Sequence, residues 1–334
     1  MTASVDSYGR SINYLRLSVT DRCNLRCLYC MPADGVPLIP RGDLLSYEEI
    51  RTVVQAAAGL GISRVRLTGG EPLVRARLPE LVDMLSGLEG IEELSLTTNG
   101  TLLKRYARRL KQAGLSRVNI SLDTLRADRF RRITRLGDLE DVLAGIRAAE
   151  EAGLHPVKVN TVVMRGTNDD EILDFARMTG EHGWHVRFIE LMPFGDAAGP
   201  VPTDEVLRHI GLLGRLEPGA SPVGNGPARY YRLAGAAGTI GFISPITGPS
   251  FCSRCNRMRL SPDGKLRACL LADNETDLRA PLRNNAPPAE LRRLIRRVIA
   301  AKPEHHQLGE GPTCPLRTGR VGGTVNHRMS RIGG

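Results

Sequence analysis

Residues 14–32 read YLRLSVTDRCNLRCLYCMP, a short strand pattern running directly into a loop with three cysteines. Leu15, Leu17 and Val19 alternate with Arg16, Ser18 and Thr20, so one face of the segment is apolar and the other polar and basic. The pattern recurs downstream. Val65 and Leu67 oppose Arg64, Arg66 and Thr68, and Leu94 and Leu96 oppose Ser95 and Thr97. Val118, Ile120 and Leu122 oppose Asn119 and Ser121, and Val157 and Val159 oppose Lys158 and Asn160. The spacing predicts strands near 14–19, 63–68, 93–98, 117–122, 157–163 and 185–191. Helical patterns near 46–60, 77–87, 101–113, 138–152, 169–182 and 203–213 lie between or after them. Ser46 and Thr203 stand as N-caps, and Gly114, Gly153 and Gly183 fall where helices should end.

Successive βα units imply a parallel sheet, either open or closed towards a barrel. Parallel strands covered by helices on both faces read as near-continuous apolar runs. Here the second face is basic, and buried cations without counter-charge are very costly. The expectation is therefore an α/β fold, an incomplete six-stranded (β/α)6 barrel over 8–213, whose wide polar lumen holds an anionic ligand. After residue 214 the rhythm changes. PGASPVGNGP at 218–227 reads as a loop, and strands follow at 228–233 and 238–245. A hairpin over 257–270 turns at Pro262, Asp263 and Gly264, and a helix runs from about 290 to 300. These form a smaller C-terminal α+β region over 214–300, followed by a Gly- and Arg-rich tail over 301–334.

The 334 residues carry 46 Lys and Arg against 36 Asp and Glu, a net charge of +10. That balance favours nucleic acid, an anionic membrane surface or a phosphorylated small molecule, although a basic solvated surface is the commoner meaning of charge alone. Aromatics at 4% leave few platforms for stacking single-stranded bases. No apolar run approaches the roughly 18 residues of a membrane span, and the first residues lack a leader's apolar stretch, so a cytoplasmic protein is expected.

Seven cysteines suit metal or redox chemistry in a reducing compartment better than a disulfide framework. Cys23, Cys27 and Cys30 form C-x3-C-x2-C with no fourth Cys or His nearby. A structural zinc wants four ligands, whereas three thiolates suit a [4Fe-4S] cube with one open iron. Cys252, Cys255 and Cys269 make a second trio, C-x2-C-x13-C. Here zinc competes with a second cluster, since Cys314 or His305 could supply a fourth ligand. A zinc-stabilised nucleic-acid-binding protein is the non-enzymatic alternative, but a duplex cannot enter a lumen.

With Tyr29 before its third cysteine, the first trio resembles the signature of radical S-adenosylmethionine (SAM) enzymes, and Thr68–Pro72, TGGEP, resembles their GGEP motif. DRCNLRCLYCMP, RLTGGEPL, LTTNG, NISLDT, RFIELMP, FCSRCNRMRLSPDGKLRACL and the final RIGG resemble, in order, the GTP 3′,8-cyclase family, which opens molybdenum cofactor biosynthesis. The resemblance implies two [4Fe-4S] clusters, on Cys23, Cys27 and Cys30 and on Cys252, Cys255 and Cys269. It implies that Tyr29, Gly70, Ser121 and Met192 hold SAM. Arg16, Arg64, Arg66, Thr97, Lys158, Arg187, Arg257 and Arg259 would hold GTP. Arg16, Arg257, Arg259, Gly333 and Gly334 would serve catalysis. Arg64 departs from the Lys that many members carry, which alters reach and geometry. The resemblance further implies a homodimer, a reductase or flavodoxin-type electron donor and a hand-off to cyclic pyranopterin monophosphate synthase, with neither membrane nor nucleic acid as partner. A peptide-modifying radical SAM enzyme with an auxiliary cluster is the enzymatic alternative.

Overall fold

The computed structural model describes residues 4–192, 199–222, 224, 226–248, 250–272 and 274–306. A short ribbon of β1 (Ser4–Val5) and β2 (Ser11–Ile12) precedes the first barrel strand, β3 (Tyr14–Ser18). The βα series then runs α1 (Tyr47–Ala58), β4 (Arg64–Thr68), α2 (Leu78–Ser86), β5 (Glu93–Thr98), α3 (Leu103–Gln112) and β6 (Arg117–Ser121). It continues with α4 (Ala127–Thr134), α5 (Leu139–Glu151), β7 (Lys158–Val163), α6 (Ile172–Glu181), β8 (His185–Glu190) and α7 (Thr203–Ile210). Beyond it lie β9 (Leu216–Pro218), β10 (Arg229–Leu233), β11 (Ile240–Ile243), β12 (Arg257–Leu260), β13 (Lys265–Arg267), β14 (Thr276–Asp277), α8 (Arg279–Arg283) and α9 (Pro288–Ala300).

All strands from β3 onward join one sheet in the order β14-β13-β12-β3-β4-β5-β6-β7-β8-β11-β10-β9. The six expected barrel strands lie side by side and parallel. The strands after residue 214 do not build a sheet of their own. Instead β12 pairs parallel with β3 and β11 parallel with β8, so the C-terminal region lengthens the barrel sheet at both edges. The sheet stays open, with β14 and β9 as its ends.

The alternation sorts the two faces. Leu15, Leu17, Val65, Leu67, Leu94, Leu96, Val118, Ile120, Val159 and Val186 are all buried in one apolar core with the helices. Each such side chain contributes roughly 1.5–3 kcal/mol when removed from water, which fixes the register and turns the charged residues inward. At the start of α1, Ser46 accepts the Glu49 N–H while the Glu49 carboxylate accepts the Ser46 N–H, a reciprocal cap. Thr203 is not a cap. Pro202 takes that position without a side-chain bond, and the Thr203 hydroxyl meets Ser244 Oγ at 2.5 Å instead. Helix α4 is not among the expected helices, because ADRFRRIT carries only two large apolar residues, Phe130 and Ile133, although these sit at helical spacing. Among the described residues no helix is long and apolar enough to cross a membrane.

Candidate active site

The first cysteine trio occupies the loop leaving β3, at the C-terminal end of the barrel strands. Its backbone is clamped from two sides. Gly70 N–H donates to Thr20 O and Glu71 N–H to Arg22 O, each at 2.8 Å, so the GGEP turn is bonded to the residues just before Cys23. A Cβ on Gly69 would sit 2.7 Å from Thr20 O, and one on Gly70 2.7 Å from the Arg22 carbonyl carbon, which is why this approach needs glycine. On the other side, Arg26 N–H and Leu28 N–H donate to Thr134 O and Ile133 O at the end of α4, both at 3.0 Å. Arg135 then ties down the carbonyls of Arg26 and Met31 at 2.7 and 3.0 Å.

Buried carboxylates complete this frame, and sequence reasoning gave them no role. Glu71 accepts from Leu73 N, Thr98 Oγ1 and Asn99 N; burial raises its pKa to about 7 despite these bonds. Asp123 accepts from Tyr29 OH and Val162 N, both at 2.8 Å, and burial raises it to about 6. Glu190 accepts from Ile246 N and Thr247 N at 2.9 and 3.0 Å. All three stand inside motifs read from the sequence, so the available signal was an acidic residue at the end of each strand motif.

The row facing the lumen follows from the strand register. Arg259, Arg16, Arg66, Ser95 and Arg117 are successive cross-strand partners. Asn119 pairs with Lys158, Asn160 with Arg187, and Arg187 with Gly241. Arg66, Lys158 and Arg187 are buried, while Arg16, Arg257 and Arg259 are partly so. Arg66 stacks over Tyr14 with its guanidinium 5.3 Å from the ring centre and donates to Ser95 Oγ at 3.1 Å. Burial, reinforced by Arg187, Arg117 and Arg66, lowers Lys158 to about 6, and burial lowers Arg66 to about 10. Arg64 opens β4 half-buried, its Nη2 3.4 Å from Glu92. Thr97, Ser121 and Met192 are also half-buried. Gly333, Gly334 and Cys314 lie outside the described residues.

Tyr14 Oη, Asn160 Oδ1 and Arg187 Nε and Nη2 are buried with no hydrogen-bond partner among the described residues. The orphaned donors of Tyr14 and Arg187 beside crowded cations fit an anionic ligand able to accept several hydrogen bonds, and Asn160 Oδ1 is left as an acceptor for an N–H or O–H of the ligand.

The second trio flanks β12 and β13 at the opposite end of the barrel. Cys252 and Cys255 precede β12, and Cys269 follows its antiparallel partner β13. Since β12 runs parallel beside β3, the two trios lie beyond opposite ends of neighbouring strands, separated by at least the roughly 13 Å of a five-residue strand. Arg257 Nη2 lies 3.6 Å from Cys255 Sγ. Arg10, paired with Asp6, donates to Cys252 O at 2.9 Å, and buried Lys302 donates to Arg257 O and Ala268 O at 2.8 and 2.5 Å.

The donors fit iron–sulfur cubes. Burial raises Cys23 and Cys27 and pushes Cys30 up to about 12, so these three thiols ionise together only against a compensating cation. At Cys255, burial is outweighed by Arg257 and Lys302, which bring the thiol to about 6. A cube spreads its thiolates over separate irons and keeps one iron open, which suits three cysteines without a fourth protein ligand. His305 is exposed, with its Nε2 3.7 Å from Glu304.

A parallel barrel with a three-cysteine loop after its first strand and a glycine turn bonded to that loop defines a radical SAM enzyme. Residues 17–179 match the radical SAM superfamily, and residues 184–308 match Molybdenum Cofactor Synthesis C. In structure, SuiB of Streptococcus suis, solved with S-adenosylmethionine, shares the fold at a TM-score of 0.57, with 13% identity over 84% of this chain and 68% of its own. The GTP 3′,8-cyclases of Moorella thermoacetica and Pelotomaculum thermopropionicum are each 54% identical to it, over 95% of this chain and 99% of theirs. The chain belongs to the GTP 3′,8-cyclase family.

Proposed function

We infer that this protein converts GTP to (8S)-3′,8-cyclo-7,8-dihydroguanosine 5′-triphosphate, the first step of molybdenum cofactor biosynthesis. The observation that carries this reading is the placement of two cysteine trios beyond opposite ends of adjacent strands, with a cation-lined lumen between them. Cys23, Cys27 and Cys30 would hold the cluster that, when bound, would supply the one-electron reduction of SAM needed to generate a hydrogen-abstracting radical for C3′ of the ribose.

The remaining work belongs to the chain. Tyr29, Gly70, Ser121 and Met192 hold SAM at the C-terminal end of the strands. Arg16, Arg66, Lys158 and Arg187 neutralise the triphosphate, with Thr97 contacting ribose or phosphate and Arg64 acting from the entrance of β4. Arg257 and Arg259 orient the guanine end beside Cys252, Cys255 and Cys269, which hold the second cluster as a template for the base. No general base is required for a carbon radical attacking C8, so rate depends on holding C3′ and C8 in attacking geometry and on keeping water out. Gly333 and Gly334 assist as a closing segment, one end of the tail that follows the barrel region (8–213) and the second-cluster region (214–300). A reductase or flavodoxin-type donor in the cytoplasm supplies electrons, the protein works as a homodimer, and its product passes to cyclic pyranopterin monophosphate synthase.

Anaerobic incubation of reconstituted, reduced protein with SAM and GTP tests the reading. Methionine, 5′-deoxyadenosine and the cyclised triphosphate should accumulate together. SAM cleavage with GTP recovered intact would overturn it and favour another substrate.

A further inference from the structure

Two features have no part in the function so far: Pro222 and Gly224, between β9 and β10, and Arg117, the bulkiest fully buried side chain among the described residues. They meet in the lumen. Gly224 packs so closely on the Arg117 guanidinium that an added Cβ would be driven into Nη2, and the Pro222 carbonyl accepts from Lys158 Nζ at 3.5 Å. Arg117 opens β6 with the parity of Asn119 and Ser121, on the inner face, and is 1% exposed. Its Nη2 donates to Glu93 Oε1 at 2.5 Å, and its Nη1 makes a long contact of 3.4 Å with Asn119 Oδ1. Its Nε has no partner among the described residues. A guanidinium carries five N–H donors, so one short bond and one long one leave it under-bonded for a group removed from water. Its charge acts on Arg66, Lys158 and Arg187, so it belongs to the same cationic cluster, and Glu93 is the acid paired with it.

We propose that Arg117 is a further substrate-positioning residue, fixing the terminal phosphate of the triphosphate, with Glu93 setting its orientation and Pro222 and Gly224 packing over that end of the site. The proposal rests on the GTP reading and sharpens it: the pocket should distinguish a triphosphate from a diphosphate through this guanidinium. Glu93 holds the fork, while the remaining N–H groups donate to an oxyanion.

The test compares Arg117→Met/Glu93→Gln, which removes the pair without stranding a buried charge, and Arg117→Lys, which keeps the charge without the fork. Equilibrium binding of GTP, GDP and inorganic triphosphate is measured on the reconstituted enzyme. The pair variant should lose about 10–100-fold in affinity for GTP and inorganic triphosphate while GDP changes by less than about threefold, and Arg117→Lys should fall between. KM should rise with kcat at saturating GTP largely kept. A GTP-to-GDP preference equal to wild type in the folded variants overturns the proposal; if the pair variant does not fold, Arg117→Lys decides by the same ratio. Wild-type protein that prefers triphosphate but does not cyclise GTP would defeat the cyclase reading alone.

Discussion

Binding of GTP should draw close to one proton from solution at pH 8. Lys158 starts β7 inside the lumen, where burial, then Arg187, Arg117 and Arg66, lowers it to about 6. At pH 8 only roughly one ammonium in a hundred is therefore charged in the ligand-free protein. A triphosphate among these groups reverses the balance, because its charge favours the ammonium and replaces the repulsion between cations with attraction. Once the pKa rises well above 8, uptake approaches a full proton. The terminal phosphate, with a second pKa near about 6, is already ionised at pH 8 and releases almost nothing in return. At pH 6 half of the lysines are already charged and the terminal phosphate, itself half protonated, releases about half a proton among the cations, so net uptake should fall to near zero. Calorimetric titration of GTP in buffers of different ionisation enthalpy reads this number as a slope. Lys158→Met should bring the slope near zero and weaken GTP by about tenfold or more, as loss of a charge-assisted bond requires. His185, lowered to about 4 by burial and then by Lys158 and Arg187, also begins neutral, and the same variant separates it from Lys158. A wild-type slope near zero at pH 8, or one that survives Lys158→Met, would refute this reasoning.

Gly70→Ala should destabilise the fold by about 2–4 kcal/mol, from overpacking against backbone and loss of two bonds to the cysteine loop; urea midpoints and iron retained at the first cluster read the effect, and unchanged values would refute it. Triple replacement of Cys23, Cys27 and Cys30 by Ala should abolish SAM cleavage, whereas replacing Cys252, Cys255 and Cys269 should leave uncoupled cleavage without cyclised product; equal loss in both would contradict the division of labour. Intact protein should hold about eight irons per chain, falling to about half in either triple variant. Deleting Gly333 and Gly334 should slow cyclisation sharply with iron content and GTP affinity nearly kept, as measured by product formation against equilibrium binding.

The barrel was legible because its signal is local. Each strand carries its own alternation of Leu or Val with polar residues, and the helices carry their own periodicity and caps, Ser46 among them. The strand pairing at the edges was not. Nothing near Arg257 indicates that β12 lies beside β3, because that pairing joins residues more than 240 apart through the backbone alone. Arg117 and Glu93 were missed for a simpler reason: the alternation was read from Val118 and Leu94, one residue inside each strand, although both share the parity of their lumen-facing neighbours. Helix α4 escaped because four of its eight residues are charged and its stability comes from packing Phe130 and Ile133. Its role in holding the first cysteine loop could be seen only after folding.

The central claim is that the lumen holds the GTP ribose where its C3′ hydrogen is taken, with the triphosphate among the cations and the base towards the second trio. Reaction with GTP deuterated at C3′ tests this most directly. The account predicts 5′-deoxyadenosine carrying one deuterium per cyclised product. Unlabelled 5′-deoxyadenosine formed alongside cyclised nucleotide, or deuterium retained in the nucleotide, would contradict it.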